Sequence, residues 1–290
     1  MRVVRVRRGG AVRFAVETTP GRFAEVDVAN ALDALAGRGK RRHTFEAADD
    51  VELRFDGDVE LLLPLDPPEV WCAGVTYARS RDARVDEAVV KDVYTMVYEA
   101  PRPELFLKDA MWRRTVGPGA RIGIREDATW NVPEAEIGLV LGERGAIVGY
   151  TIGNDVSSRD IEGANPLYLP QAKVYAGACA IGPAILAAPH SNGVFDVSLR
   201  IVDTDGTEVF SGATSTGQMV RGFEDLVAWL VRDNPVPPGS VLLTGTGIVP
   251  PDEITLLPGQ RVEIHVPGIG TLWNQVGLAA ELLERAARPS

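Results

Sequence analysis

Residues 134–136 read Glu-Ala-Glu at the head of an apolar run, within WNVPEAEIGLVLGERGAIVGYTIGNDVSSRD (130–160), and a third acid, Asp155, closes the next apolar run. If 134–141 is a strand, side chains at i and i+2 share a face, with Cα atoms about 7 Å apart. Ala135, Ile137, Leu139 and Leu141 then turn to the core, and Glu134 and Glu136 point together to the other side. Two carboxylates that close repel, and each raises the other's pKa unless a cation bridges them. The Gly153–Asp155 end of the following strand could bring the third carboxylate beside the pair. Three hard oxygen donors, with positions left for water or substrate, suit Mg2+. The same Glu-x-Glu spacing also fits solvated glutamates on an exposed sheet face. What favours a site is the dense polar break Asn154-Asp155-Val156-Ser157-Ser158-Arg159-Asp160 directly after an apolar strand, a composition typical of site loops.

Two later features have the right chemistry to join such a centre. Lys173 stands isolated among apolar residues in NPLYLPQAKVY. Partly buried beside a metal, a lysine can have a lowered pKa and act as a base; on the surface it is an ordinary snorkelling side chain. LLTGTG (242–247) ends a strand in small residues, where hydroxyls and N–H groups can hold a carboxylate, although a plain turn has the same composition.

The surrounding elements would position these groups. RVVRVRR and VRFAVET read as strands around a Gly-Gly turn, and EVDVANALDALAG (25–37) as a short helix ending in Gly. Pro67-Pro68 marks a boundary, giving a small α/β domain over 1–67 and a larger β-rich domain over 68–290. VWCAGVTYARS is a strand leading into a loop. DARVDEAVVKDVYTMVYEA predicts an amphipathic helix over about 82–98, with Val85, Ala88, Val89, Val93, Met96 and Val97 on one face. Short β runs with Gly and Pro turns follow: ELFLK, EIGLVLG, AIVGYTIGNDV, AIGPAIL, DVSLRIVDTDG, SVLLTGTG, RVEIHVPG and GTLWNQV. One helix in GQMVRGFEDLVAWLVRD interrupts them, placing Met219, Val220, Phe223, Leu226, Val227 and Leu230 on one face. The fold class is α+β and β-rich, a folded-over sheet or roll with a few helices.

Bulk properties narrow the function. Over 290 residues, 45% hydrophobic and 24% charged content are ordinary for a globular chain. A net charge of −10 argues against a nucleic-acid partner. Cys72 and Cys179, far apart in apolar settings, read as buried free thiols of a reducing cytoplasm rather than a disulfide or metal pair. The N-terminal Val/Arg alternation reads as a strand and not a signal peptide, and no apolar run approaches the ~18 residues of a membrane helix, so no membrane partner is expected. There is no GxGxxG after a strand and no GxSxG.

GVTYARS, RPELFLK, PEAEIGLVLG, GYTIGNDVSSRD, LPQAKVYAGACAIGPAI and LLTGTG, in this order over about 70–280, resemble the fumarylacetoacetate hydrolase superfamily. The resemblance implies a mixed β-roll of that superfamily's C-terminal type. It implies Mg2+ held by Glu134, Glu136 and Asp155, with Mn2+ or Ca2+ as substitutes, a functional Lys173, and Thr244, Gly245 and Thr246 holding the substrate's acid group. It also implies pairing into a homodimer or homotetramer. The hydrolase members carry a His after the Tyr of the first motif. Here Tyr77-Ala78-Arg79 is followed by Ser80, and His43, His190 and His265 lie elsewhere. GVTYARSRDAR, RPELFLK and GANPLYLPQAKVYAGACAIGP look closer to the 2-keto-3-deoxy-D-arabinonate dehydratase branch. That implies loss of water from a 2-keto-3-deoxy sugar acid: the metal polarises the ketone, Lys173 takes a C3 proton, Glu104 serves as acid or second base, and the C4 hydroxyl leaves. Tyr77, Arg79 and Ser80 would grip the substrate from a lid formed by 82–98, although Glu104 also fits a solvated loop acid and Ser80 a helix cap. A hydrolase or decarboxylase of an acylpyruvate-like β-dicarbonyl acid, sharing the same enolate, is the second reading. A non-catalytic β domain with a structural cation is the third.

Overall fold

The computed structural model describes residues 1–49, 51–55, 57–87, 92–189 and 193–286. The first strands are β1 (Arg2–Arg8), β2 (Ala11–Thr19) and β3 (Arg22–Val26), followed by α1 (Ala31–Leu35), β4 (Arg41–Asp49), β5 (Arg54–Phe55) and β6 (Val59–Leu61). Then come β7 (Glu69–Gly74), α2 (Ala78–Glu87), α3 (Asp92–Glu99), β8 (Glu104–Ala110), β9 (Thr115–Val116), β10 (Arg121–Ile124) and β11 (Asn131–Val132). The central stretch holds β12 (Ala135–Leu141), β13 (Ile147–Asp155), β14 (Ser157–Ser158), α4 (Arg159–Ala164), α5 (Leu169–Lys173) and β15 (Cys179–Ala187). The chain closes with β16 (Asp196–Val202), β17 (Glu208–Ser215), α6 (Phe223–Leu230), β18 (Val241–Leu243), β19 (Arg261–Val266), β20 (Gly270–Leu278) and α7 (Ala279–Ala286).

Two mixed sheets carry most of the β content, and β11 and β14 form a separate antiparallel pair. The larger runs β5-β4-β3-β2-β1-β15-β13-β12-β18-β7-β8, with β6 and β9 attached at its side, and the smaller runs β10-β20-β19-β16-β17. Pairing is mostly antiparallel, but β18–β7 and β10–β20 are parallel. The largest apolar cluster lies where the sheets face each other: Ile137, Leu139, Leu141 and Ile152 meet Leu199, Ile201, Val262, Ile264 and Leu272. A second cluster covers the opposite face of the central strands, with Val140, Leu243, Ile181 and Ile185 against Val3, Val16 and the helix residues Ala31 and Ala34. β12 is therefore buried along its whole length. Glu136 within it and Glu134 just before it are both buried and do not stand on a solvated face, and a buried carboxylate must find cations or donors.

Several sequence expectations shift in position. The 25–37 segment yields only α1, capped by Asn30, whose side chain accepts from Asp33 N, because Glu25 and Val26 belong to β3. The helix placed over 82–98 begins earlier, at Ala78, and the segment holds two helices, α2 and α3; Ala88 and Val89 lie outside the described residues. Met96 is exposed rather than core. Arg79 and Ser80 thus sit inside the first turn of α2 and not in a loop ahead of it. The 217–233 helix starts only at Phe223: Phe223, Leu226, Val227 and Leu230 are buried as the spacing predicts, but Met219 and Val220 precede it, and Val220 N–H donates to Thr76 O. β17, α4, α5 and α7 were not among the elements expected from the sequence; α4 and α5 are too short to show a period, whereas α7 does carry an amphipathic stripe.

Both cysteines are buried and unpaired. Burial pushes both thiols up, Cys179 to about 12, so neither is a reactive thiolate near neutrality.

Candidate metal centre

The β12–β13 pairing sets Glu136 opposite Gly153, and Asp155 N–H donates to Glu134 O at 3.0 Å. Asn154 reinforces the corner, its Oδ1 accepting from Glu134 N at 3.2 Å. Gly153 is small for a reason: a Cβ there would collide with the Leu243 side chain of β18. The result is that Glu134, Glu136 and Asp155 are all buried, with one ligand atom of each lying within 4.8 Å of the others. Among the described residues no other group of His, Cys, Asp and Glu converges in this way.

Lys173, the last residue of α5, joins them. Its Nζ donates to Glu134 Oε2 at 2.8 Å, to Asp155 Oδ2 at 3.0 Å and to Ser157 Oγ. Two further buried cations, which the sequence did not single out, complete the charge balance. Arg159, opening α4, donates from Nη2 to Glu134 Oε1 at 3.0 Å. Lys108 pairs with Asp155 Oδ1, and its Nζ also donates to Val156 O at 2.9 Å. Lys108 sits at a bulge: Val70 faces Asp109 and Trp71 faces Leu107, so the residue between is skipped. Bulges re-aim side chains beside sites, and this one aims a lysine inward. Despite these cations, burial first, then the charges of Asp155 and Glu134, push the Glu136 carboxyl well above its usual range. A hard oxygen cluster whose members raise one another's proton affinity is what a divalent ion would relieve. On this donor chemistry the residues fit Mg2+.

The remaining predicted residues divide. Glu104, Ser80, Gly245 and Thr246 line the same cavity as the three carboxylates and Lys173, together with Phe106 and the buried Glu162. Gly245 adopts φ +90°, where a side chain is strained, and a Cβ would strike Thr76 Oγ1. Its N–H donates to Glu136 Oε2 at 2.6 Å, so this amide is aimed at the carboxylate cluster. Thr244 Oγ1 donates to Ile137 O at 2.9 Å and the residue lies below the cavity wall. Tyr77 is buried; desolvation, then the nearby Glu136 charge, pushes its phenol up. Arg79 is exposed and, among the described residues, reaches Val249 O at 3.4 Å. The cavity has about 20 Å3 of room, enough for an ion or a water but not for a sugar acid. A far larger groove of about 1120 Å3, between α1, the β12–β13 turn and α6, offers no converging ligand atoms, and chemistry rather than size decides between them.

Gly74 gives a clean probe of Glu104. A Cβ at 74 would land on the Glu104 carboxylate, the movable end of a flexible side chain, while Gly74 itself has an ordinary φ. Gly74→Ala should leave the melting temperature within a few degrees but lower kcat by at least about tenfold by displacing that carboxylate. Unchanged kcat would show that Glu104 takes no part in the reaction.

The chain belongs to the fumarylacetoacetate hydrolase family: residues 69–277 match the family model described as fumarylacetoacetate (FAA) hydrolase C-terminal. Within that family it is 47% identical over 246 residues to the Haloferax volcanii protein named "Probable 2-keto-3-deoxyxylonate dehydratase", covering 84% of each chain. It is 44% identical over 225 residues to the 2-dehydro-3-deoxy-D-arabinonate dehydratase of Saccharolobus solfataricus, covering 76% of this chain and 75% of the other. A solved structure described as 2-keto-3-deoxy-D-arabinonate dehydratase complexed with magnesium and 2,5-dioxopentanoate superposes with a TM-score of 0.83 at 36% identity, over 96% of this chain and 99% of that one. The β-rich mixed-sheet fold expected from the sequence is the fold found.

Proposed function

We propose that the protein is a Mg2+-dependent dehydratase of a 2-keto-3-deoxy sugar acid, such as 2-keto-3-deoxy-D-arabinonate, giving 2,5-dioxopentanoate. The observation that carries this reading is a buried three-carboxylate cluster with an amine bonded to two of its members and a fourth carboxylate, Glu104, on the same cavity. The dehydratase relatives and the magnesium-bound structure support it.

Glu134, Glu136 and Asp155 would hold the ion. When bound, it supplies Lewis acidity to the adjacent keto and carboxylate oxygens of the substrate. Lys173, as the neutral amine, takes the C3 proton; of the two buried lysines it is the one that lines the cavity, while Lys108 stands behind Asp155. Glu104 protonates the departing C4 hydroxyl, which leaves as water to give the C3–C4 enone; transfer of a proton from C5 to C3 then gives the C4–C5 enol, which tautomerises to the C5 aldehyde. Ser80, Gly245 and Thr246 contact the substrate, with Tyr77 and Thr244 supporting that wall and Arg79 reaching the distal hydroxyls from α2. Because the present cavity is ion-sized, the wall carrying Ser80 must move to admit substrate, in keeping with a lid role for α2 and α3. The apolar side chains Leu107, Met111 and Trp112, exposed at the β8 edge and the turn after it, support assembly into a homodimer or homotetramer. A cytoplasmic location, with a small-molecule acid as the only substrate partner, belongs to the same reading.

The acylpyruvate hydrolase alternative calls for an imidazole. Among the described residues His265 is bonded to Thr271 and neither it nor His43 lines the cavity, while His190 lies outside the described residues. Metal-stripped protein reloaded with Mg2+ should convert 2-keto-3-deoxy pentonates, and acylpyruvates at least about a hundredfold less well. Turnover of acylpyruvates alone would replace the dehydratase reading.

A further inference from the structure

Each carboxylate of the cluster has one oxygen facing a group other than Lys173, two of them through hydrogen bonds and Asp155 Oδ1 through an ion pair alone. Arg159 Nη2 donates to Glu134 Oε1 at 3.0 Å, Gly245 N–H donates to Glu136 Oε2 at 2.6 Å, and Lys108 is ion-paired with Asp155 Oδ1. The three donors come from α4, the loop after β18 and the bulge of β8, and all three residues are buried. The second oxygens of the three carboxylates are Glu134 Oε2, Glu136 Oε1 and Asp155 Oδ2. Two of these converge on Lys173 Nζ at 2.8 and 3.0 Å.

The arrangement matters for the choice of ion. Mg2+ requires six near-octahedral oxygens and keeps several waters, so carboxylates serve it through one oxygen each. Ca2+ takes six to eight oxygens at longer distances and commonly recruits carboxylates through both. We infer that the three caps confine Glu134, Glu136 and Asp155 to one oxygen apiece and thereby select Mg2+ against Ca2+, with Lys108 the positioning residue that enforces this at Asp155. The inference rests on the cation centre proposed above and narrows the expectation that Ca2+ is a possible substitute. It also gives Lys108 a purpose: burying an ammonium that does not line the cavity is costly unless its partner's geometry is worth holding.

Isothermal titration of metal-stripped protein with MgCl2 and with CaCl2 tests this. Wild type should bind Mg2+ more tightly than Ca2+. In Lys108→Met, Asp155 Oδ1 becomes available as a second ligand, and the Ca2+/Mg2+ affinity ratio should rise by about tenfold, the scale of effects from groups that orient metal ligands. Loss of one positive charge alone strengthens both ions together, so the ratio isolates geometry from charge. Arg159→Gln releases Glu134 Oε1 and should move the ratio the same way, an independent arm if Lys108→Met does not fold by circular dichroism. An unchanged ratio in the folded variants, or a wild type that prefers Ca2+, overturns the selection by caps. A wild type that binds neither ion removes the cation centre itself, a different and recognisable failure.

Discussion

Replacing Glu136 by Gln should lower kcat/KM by at least about a thousandfold, since one ligand's share of the metal's transition-state stabilisation is several kcal/mol. The same change should stabilise the metal-free protein. Burial, then Asp155 and Glu134, raise the Glu136 carboxyl well above 4.5 in the folded chain. A group raised in this direction contributes stability that is present below its unfolded pKa and is lost as pH rises through the folded one. Without metal, wild type should therefore lose melting temperature as pH climbs above about 4.5, and Glu136→Gln should flatten that slope. Its amide is neutral, is nearly isosteric, and can still accept from Gly245 N–H. Melting curves between pH 5 and 8 in chelator, with and without MgCl2, check both halves. A variant with wild-type turnover, or with the wild-type slope, would remove Glu136 from the cation centre. The two effects have one origin: like charges gathered for a ligand are a burden until the ligand arrives.

How far the site could be read in advance depends on which of its members announce themselves locally. Glu134, Glu136 and Asp155 were legible because a polar pair beside an apolar strand, followed by a polar break, is a local conflict that needs an explanation. The strands themselves were legible from β-branched runs between Gly and Pro turns. Whether the glutamates faced solvent was not, because that depends on the second apolar cluster, whose β1, β2 and α1 members lie far away in sequence. Lys108 was hidden for a related reason. ELFLK reads as an ordinary edge strand, and only the bulge against β7, set by tertiary pairing, turns its lysine inward. Arg159 stood in the quoted polar break but carried no spacing that tied it to Glu134. The helix errors are local in kind. Met219, Val220 and Met96 continue an apolar period beyond what the core accepts, and periodicity alone does not say where packing partners end.

Lys173→Met should abolish exchange of the C3 protons of a 2-keto acid with deuterated water, by at least about a hundredfold, the scale of general-base catalysis. A substrate analogue lacking the C4 hydroxyl isolates this step from water loss. The structure supplies an independent readout that a merely structural lysine would not give. Nζ holds Glu134 Oε2 and Asp155 Oδ2, and the residue is 2% exposed, so its removal takes one of two cationic partners from each of two buried carboxylates, leaving Arg159 to Glu134 and Lys108 to Asp155. Breaking a buried pair by deleting one partner costs about 3–5 kcal/mol, and the metal-free variant should melt well below wild type. MgCl2 neutralises the same two carboxylates, so it should raise the variant's melting temperature by more than it raises that of wild type. A refolded, magnesium-loaded variant that still exchanges its C3 protons would take the base role from Lys173. Loss of exchange with equal magnesium shifts in both proteins would instead mean that the amine and the ion do not share those oxygens, and the cluster would have to be rebuilt around a different centre.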